Sequence, residues 1–219
     1  MTERTSGIRS LLSVPALYEL LQQVIGSPRV RDEFINRHVR PSDGDRILDI
    51  GCGPGNLREY FGDVTYVGLD PSADYIKAAN RRFGDRGRFF VAGVDDLDVH
   101  DLGEFDIVIA KSVLHHIDDD QARRLFRTAA RVLVTGGRLV TLDAAFVEGQ
   151  SAASRFVVGQ DRGANVRSDH HYVELAREFF TDVTATVHHR LLRVPYTHVF
   201  LDCASPVTAD RTADAASAS

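Results

Sequence analysis

The chain has 219 residues, 43% hydrophobic and 26% charged, with a net charge of −5 at neutral pH. That length builds one sizeable core rather than two full domains, and an acidic balance with no basic block argues against a standing footprint for DNA or RNA. With no run of about 18 apolar residues and no apolar secretory core in residues 1–10, neither membrane span nor signal peptide is expected, so a cytoplasmic location is.

Residues 1–10 are expected to be disordered. From Leu11 to Ile25 apolar residues recur at helical spacing, with Ser13 and Pro15 placed as cap and early helical residue, and Gly26 as the stop. A second helix is predicted from about Pro28 to Val39, capped by Ser27, with Val30, Phe34 and Ile35 facing inward. The chain then reads Arg-Ile-Leu-Asp-Ile-Gly-Cys-Gly-Pro-Gly-Asn-Leu from Arg46 to Leu57. Ile47, Leu48 and Ile50 make a short buried strand, and Gly51, Gly53 and Gly55 turn bare backbone toward a flat ligand. A dinucleotide fingerprint needs a small residue five positions after its first glycine, where this chain has Asn56. Pro54 interrupts the turn and Asp49 lies two residues upstream, which favours a ligand without a pyrophosphate.

Thr65 to Asp70 reads as the second strand, and Asp70 follows Gly51 by about the 20 residues after which such folds place a carboxylate on ribose hydroxyls. Pro71, Ser72 and Asp74 open a helix from Tyr75 to Phe83, and Arg88 to Ala92 is the third strand. Phe105 to Ala110 is a fourth, fully buried strand, followed by Lys111, Ser112, Val113, Leu114, His115 and His116. Asp118 with Gln121 caps a helix from Asp119 to Val134, after which Gly136 and Gly137 lead into a fifth strand from Arg138 to Asp143. The βαβα alternation implies a parallel sheet with helices on both faces. Residues 144–168 have weak periodicity and carry Arg155, Arg162 and Arg167. They precede a helix from about Asp169 to Phe180 and a strand pair, Val183 to His189 and Pro195 to Cys203. Residues 204–219, rich in Ala, Ser, Thr and Asp, are expected to be a disordered tail.

In Asp49, Gly51, Gly53 and Gly55, followed in register by Asp70, the chain resembles the class I S-adenosylmethionine (SAM)-dependent methyltransferases, from about Leu12 to Cys203. The resemblance implies an α/β, Rossmann-like fold: a seven-stranded, mostly parallel sheet with an antiparallel C-terminal strand and helices on both faces. It implies one domain over residues 11–203, with a helical lid at 11–40 and an insertion at 144–168. SAM is the implied cofactor, with Asp49, Gly51, Cys52, Gly53, Gly55, Asp70, Pro71 and Lys111 around it. The family places an acidic residue near adenine after the third strand. Here Gly93 and Val94 take the immediate positions, so that contact falls to Asp95 or Asp96. The family's leading helix often covers the acceptor, which makes Tyr18 a candidate for the lid.

Methyl transfer from a sulfonium depends chiefly on positioning, and a hydroxyl or amine acceptor must also lose a proton. His115 and His116 are the candidate bases, one facing the cleft and the other holding the loop. Lys111 is unusual at a buried strand end, either a counter-ion to an anionic acceptor or snorkelling to solvent. Arg155, Arg162 and Arg167 suit an anionic acceptor, unless Asp161 and Asp169 satisfy them as surface pairs. The expected activity is methyl transfer from SAM to a small polar molecule, acting alone or as a homodimer, with no nucleic-acid or membrane partner. A SAM-fold enzyme without net methylation and a non-catalytic SAM-binding subunit are the alternatives.

Overall fold

The computed structural model describes residues 27–96, 103–160 and 164–207. The helix expected from Leu11 to Ile25, Tyr18 within it, and Arg162 lie outside those residues.

The chain enters through a short helix, α1 (Pro28–Glu33), with Pro28 at its start. Its continuation is not the α-helix predicted through Val39 but a π-helical turn, Phe34–Val39, closed by the i→i+5 bond from Arg40 N–H to Ile35 carbonyl. Apolar spacing does not separate the two windings over six residues. Phe34, Ile35 and Val39 are buried either way.

Strand β1 (Arg46–Ile50) leads through the glycine turn into a single 3-10 turn, Asn56–Tyr60. Strand β2 (Thr65–Asp70), helix α2 (Ala73–Phe83) and strand β3 (Arg88–Val91) follow. Ser72 caps α2 by accepting the Tyr75 N–H. Strand β4 (Phe105–Lys111) precedes helix α3 (Asp119–Val132), whose Asp118–Gln121 capping box forms as the sequence indicates.

The next strand, β5 (Leu133–Phe146), starts earlier and ends later than predicted. Leu133 already pairs with Phe105, and a register shift before Ile107 absorbs Gly136 and Gly137, so the glycines sit inside a strand rather than between elements. The segment 144–168 is accordingly not one insertion. It contains the end of β5, helix α4 (Ala152–Gly159) and a two-residue strand β6 (Arg167–Ser168) beside β5. Helix α5 (Asp169–Arg177) and the antiparallel strands β7 (Phe180–His188) and β8 (His198–Pro206) complete the fold. Ala204 to Pro206, expected in the disordered tail, belong to β8, because Ala204 pairs with both Arg138 and Asp182 and Pro206 pairs with Phe180.

The sheet runs β3-β2-β1-β4-β5-β8-β7. Strands β1 to β5 are parallel to their sheet neighbours among themselves, and β8 is antiparallel to both β5 and β7. Strand order reverses between β1 and β4, the topological switch point where open α/β sheets bind ligands beyond their carboxyl ends. Leu48, Val67, Val108 and Leu201 face α3 and α5, packing on Phe126, Tyr172 and Leu175. Ile47, Ile107, Ile109 and Val140 face the other side, against Phe34, Ile76, Phe83 and Phe200. Burying each large side chain contributes roughly 1.5–3 kcal/mol, and it is this two-sided burial that fixes the crevice in place.

Candidate cofactor and acceptor site

The glycine turn is locked to both neighbouring strands. Gly51 and Cys52 N–H groups donate to the Leu69 carbonyl at 2.7 and 2.9 Å, so the pairing of β1 with β2 carries into the loop. Gly51 has φ +76°, and a Cβ there would lie 2.4 Å from Val113 Cγ2. Gly55, also at φ +76°, packs against Phe89, Phe83 and Ala79. The turn is thus closed at both Gly51 and Gly55. Asn56, at the position a dinucleotide fingerprint keeps small, is exposed and accepts from Arg82.

Cys52 turns its side chain into the core beneath Gly68, where burial pushes its thiol pKa up. The Asp70 carboxylate, at the end of β2, accepts the Gly53 N–H at 2.9 Å on Oδ2 and the Ser72 N–H at 2.8 Å on Oδ1. Each oxygen has a second acceptor position, the arrangement a pair of vicinal hydroxyls needs. Pro71 beside it is exposed.

Asp49 is 1% exposed. The Tyr66 hydroxyl donates to its Oδ2, while Oδ1 has no hydrogen-bond partner. Burial raises its pKa to about 7, against the pull of the Tyr66 hydrogen bond and the Lys111 charge. Lys111 is half-buried at the end of β4. It sits within the electrostatic reach of Asp49 and Asp143, and burial lowers its pKa while both carboxylates oppose that shift. Asp143 Oδ2 is likewise buried without a partner. Asp49 on β1 and Asp143 on β5 are thus both incompletely satisfied carboxylates.

After β3, Asp95 is drawn to α3, accepting from Gln121 and Arg124, and Asp96 accepts the Gly93 N–H at 3.1 Å. Asp95 is thus tied to α3 through both oxygens, and Asp96 to the turn after β3 through one.

The two adjacent histidines separate cleanly. His115 is 4% exposed, and its Nδ1 lies 2.7 Å from Asp143 Oδ1, which also accepts the His115 backbone N–H at 3.2 Å. With Nδ1–H donating to Asp143, the lone pair resides on Nε2. His116 is exposed, its ring 4.2 Å from that of His115. His115 and Asp143 border a small recess of about 10 Å³ with Ser112, Tyr196 and His198, closed by Val30 of α1. Asp143 was not singled out from the sequence, where it reads only as a strand end 28 residues away.

Arg167 is not available to an acceptor. It is 8% exposed and donates to Asp119 Oδ1 at 2.7 Å and to the carbonyls of Leu114, Asn165 and Ile117. It fastens the histidine loop to β6. Arg155 is exposed on α4, with its guanidinium 5.1 Å from the Phe146 ring centroid. A larger cleft of about 470 Å³ lies beyond the ends of β5 and β7, on the sheet edge that also carries the glycine turn. It is lined by Ser151, Ser154, His189, Arg190 and Arg193 among others.

The doubly wound sheet, the glycine turn at its switch point and the carboxylates on β1 and β2 define a protein of the Rossmann-like class. Residues 47–137 match the family described as "Methyltransferase domain". The ubiquinone biosynthesis O-methyltransferase of Xanthomonas axonopodis pv. citri is 31% identical over 159 residues, covering 68% of this chain and 63% of that protein. The 27-O-demethylrifamycin SV methyltransferase of Amycolatopsis mediterranei is 39% identical over 108 residues, covering 46% of this chain and 39% of that one. This chain thus spans less than two thirds of the length of these curated relatives. The solved Haemonchus contortus phosphoethanolamine N-methyltransferase 2, in complex with phosphomonomethylethanolamine and S-adenosylhomocysteine, shares the fold at TM-score 0.65 and 18% identity, over 82% of this chain and 53% of that one. Residues 47–137 thus carry a methyltransferase domain, and these likenesses support a class I SAM-dependent methyltransferase. No helix among the described residues is long and apolar enough to cross a membrane.

Proposed function

We propose that the chain transfers a methyl group from SAM to a hydroxyl of a small polar molecule, with His115 as the base. The observation that carries this reading is the buried His115–Asp143 pair at the ends of β4 and β5, beside the switch point. Bound there, SAM supplies an electrophilic methyl on a sulfonium. Asp70 holds the ribose hydroxyls, Gly51 to Gly55 present the backbone, and Asp49 and Asp143 offset the positive charges of the sulfonium and of Lys111. His115 Nε2 takes the acceptor proton, directly or through one water of the size the recess admits, and Asp143 stabilises the imidazolium that results. Positioning supplies most of the remaining acceleration. The wide cleft at Arg190 and Arg193 is the approach for the acceptor, and its two guanidiniums favour an acceptor carrying an anionic group. The O-methyltransferase names of the curated relatives support a hydroxyl over an amine or a carboxylate.

The test is incubation with SAM and a panel of phenols, catechols and hydroxylated polyketides, each with and without a carboxylate, following S-adenosylhomocysteine release. Release dependent on a hydroxylated acceptor supports the reading. Conversion of a substrate with SAM intact, or SAM binding with no reaction across the panel, replaces it with a non-methylating enzyme or a binding subunit respectively.

A further inference from the structure

On the sheet face away from α3 and α5, outside the cofactor crevice, three metal-ligating side chains converge from three elements. A Glu33 carboxylate oxygen, a His38 nitrogen and a His188 nitrogen all lie within 4.8 Å of one another. Glu33 ends α1, His38 lies in the π-helical turn and His188 ends β7.

The local winding is what brings the first two together. Residues five apart point in well-separated directions on an α-helix, whereas an i→i+5 winding returns the fifth residue to nearly the same face, and such π-helical turns recur at functional sites. His38 is held as metal-ligating histidines are. Its Nδ1 lies 2.7 Å from Asp202 Oδ2 on β8, and its ring stacks on Phe200 with centroids 4.4 Å apart. A carboxylate on one ring nitrogen fixes the tautomer and leaves Nε2 as the basic nitrogen. His188 packs its ring edge-on against the same Phe200. Its Nε2 is buried, makes no hydrogen bond and lies 3.5 Å from Glu33 Oε1. Glu33 and His188 are each about one quarter exposed, so an ion can enter from solvent.

We propose that Glu33, His38 and His188 form a binding site for a divalent transition-metal ion of the zinc class, with Asp202 orienting His38. Two imidazoles and one carboxylate suit Zn²⁺ and its neighbours in the first transition row, with water completing a tetrahedral shell, whereas Mg²⁺ and Ca²⁺ require oxygen ligands. The bound ion ties α1 to the β7–β8 hairpin. His188 directly precedes His189 and Arg190 of the wide cleft, so the same ion braces one wall of that cleft. The proposal is independent of the cofactor reading, because none of its residues lies in the crevice.

The experiment is titration of the metal-free full-length chain with Zn²⁺ by calorimetry, with elemental analysis after dialysis and a thermal scan at each loading. One equivalent of Zn²⁺ should bind and raise Tm, and excess Mg²⁺ should not displace it. Glu33→Gln and His188→Gln should each lose that equivalent and the Tm rise while keeping the wild-type circular dichroism. Asp202→Asn, which removes only the orienting group, should weaken Zn²⁺ binding by about 10–100-fold. The test rests on Glu33 and His188, each about one quarter exposed, rather than on the buried His38. No stoichiometric uptake by the wild type overturns the proposal, as does uptake retained by both Gln variants, which would place the ion on other histidines.

Discussion

Gly51 and Val113 are in mutual van der Waals exclusion: the loop after β1 closes against the loop after β4 so tightly that a methyl on Gly51 would lie 2.4 Å from Val113 Cγ2. Gly51→Ala meets that clash and a positive φ together, so it should lower stability by about 1–3 kcal/mol and weaken S-adenosylhomocysteine binding. Gly51→Ala with Val113→Ala should recover part of the stability by removing the clash while the φ strain persists. Thermal melts and calorimetry on both variants check this. A single variant as stable and as tight-binding as wild type would show that the loops are free to part.

Asp70 supports the loop as well as facing the ligand, since it accepts from Gly53 and Ser72. Asp70→Ala should cost about 2–3 kcal/mol in S-adenosylhomocysteine affinity, in the range of a charge-assisted bidentate contact, with circular dichroism unchanged. Undiminished affinity in a folded variant places the ribose elsewhere.

His115 and His116 should part company in kinetics. His115→Asn should reduce turnover by about 10²–10⁴ with cofactor affinity intact, and Asp143→Asn should reduce it strongly as well by disturbing the tautomer. His116→Asn should stay near wild type, because that ring is exposed. Full turnover by His115→Asn would mean that the acceptor ionises without help from this residue.

Asp49 should make cofactor binding depend on pH. Burial raises its pKa from 3.8 to about 7, so the folded chain without ligand holds this proton more tightly than the unfolded chain does. Its contribution to stability is therefore greatest at low pH, declines as pH rises from about 4, and levels off above about 7. A cationic cofactor prefers the ionised carboxylate and must expel the proton below that point. SAM affinity should fall by up to about tenfold for each pH unit below 7, and Asp49→Asn should flatten the profile. Calorimetry at several pH values reads both, and an identical slope in the variant would assign the proton to another group.

The doubly wound half of the fold was legible in the sequence because parallel strands buried on both faces appear as short apolar runs, and capping pairs such as Asp118 with Gln121 mark where helices begin. The places of Asp49 and Asp70 on β1 and β2 were legible for the same reason, being tied to strand ends at a set distance from the glycines. The His115–Asp143 pair was only half legible. Nothing local in Asp143 announces it, and the contact exists because the register of β4 on β5 brings two strand ends level. Arg167 misled for a related cause: a lone arginine in a polar stretch reads as exposed, and its carbonyl partners at Leu114, Asn165 and Ile117 carry no side-chain signal. The π-helical turn was invisible because Phe34, Ile35 and Val39 satisfy an inward face under either winding.

Strand β8 lies inside the sheet, between β5 and β7, although it is the last of the described strands to be synthesised. A chain growing from its N-terminus can pair β1 to β5 in turn, but β7 has no sheet partner until residues from His198 onward arrive. Until then β5 presents an open edge to other chains in the cell, and a lone β7 is too little to hold itself in place. The final strand therefore acts as a zipper, and a ribosome stalled between Arg190 and His198 would leave a nascent chain with a cofactor crevice on one side and an adhesive edge on the other.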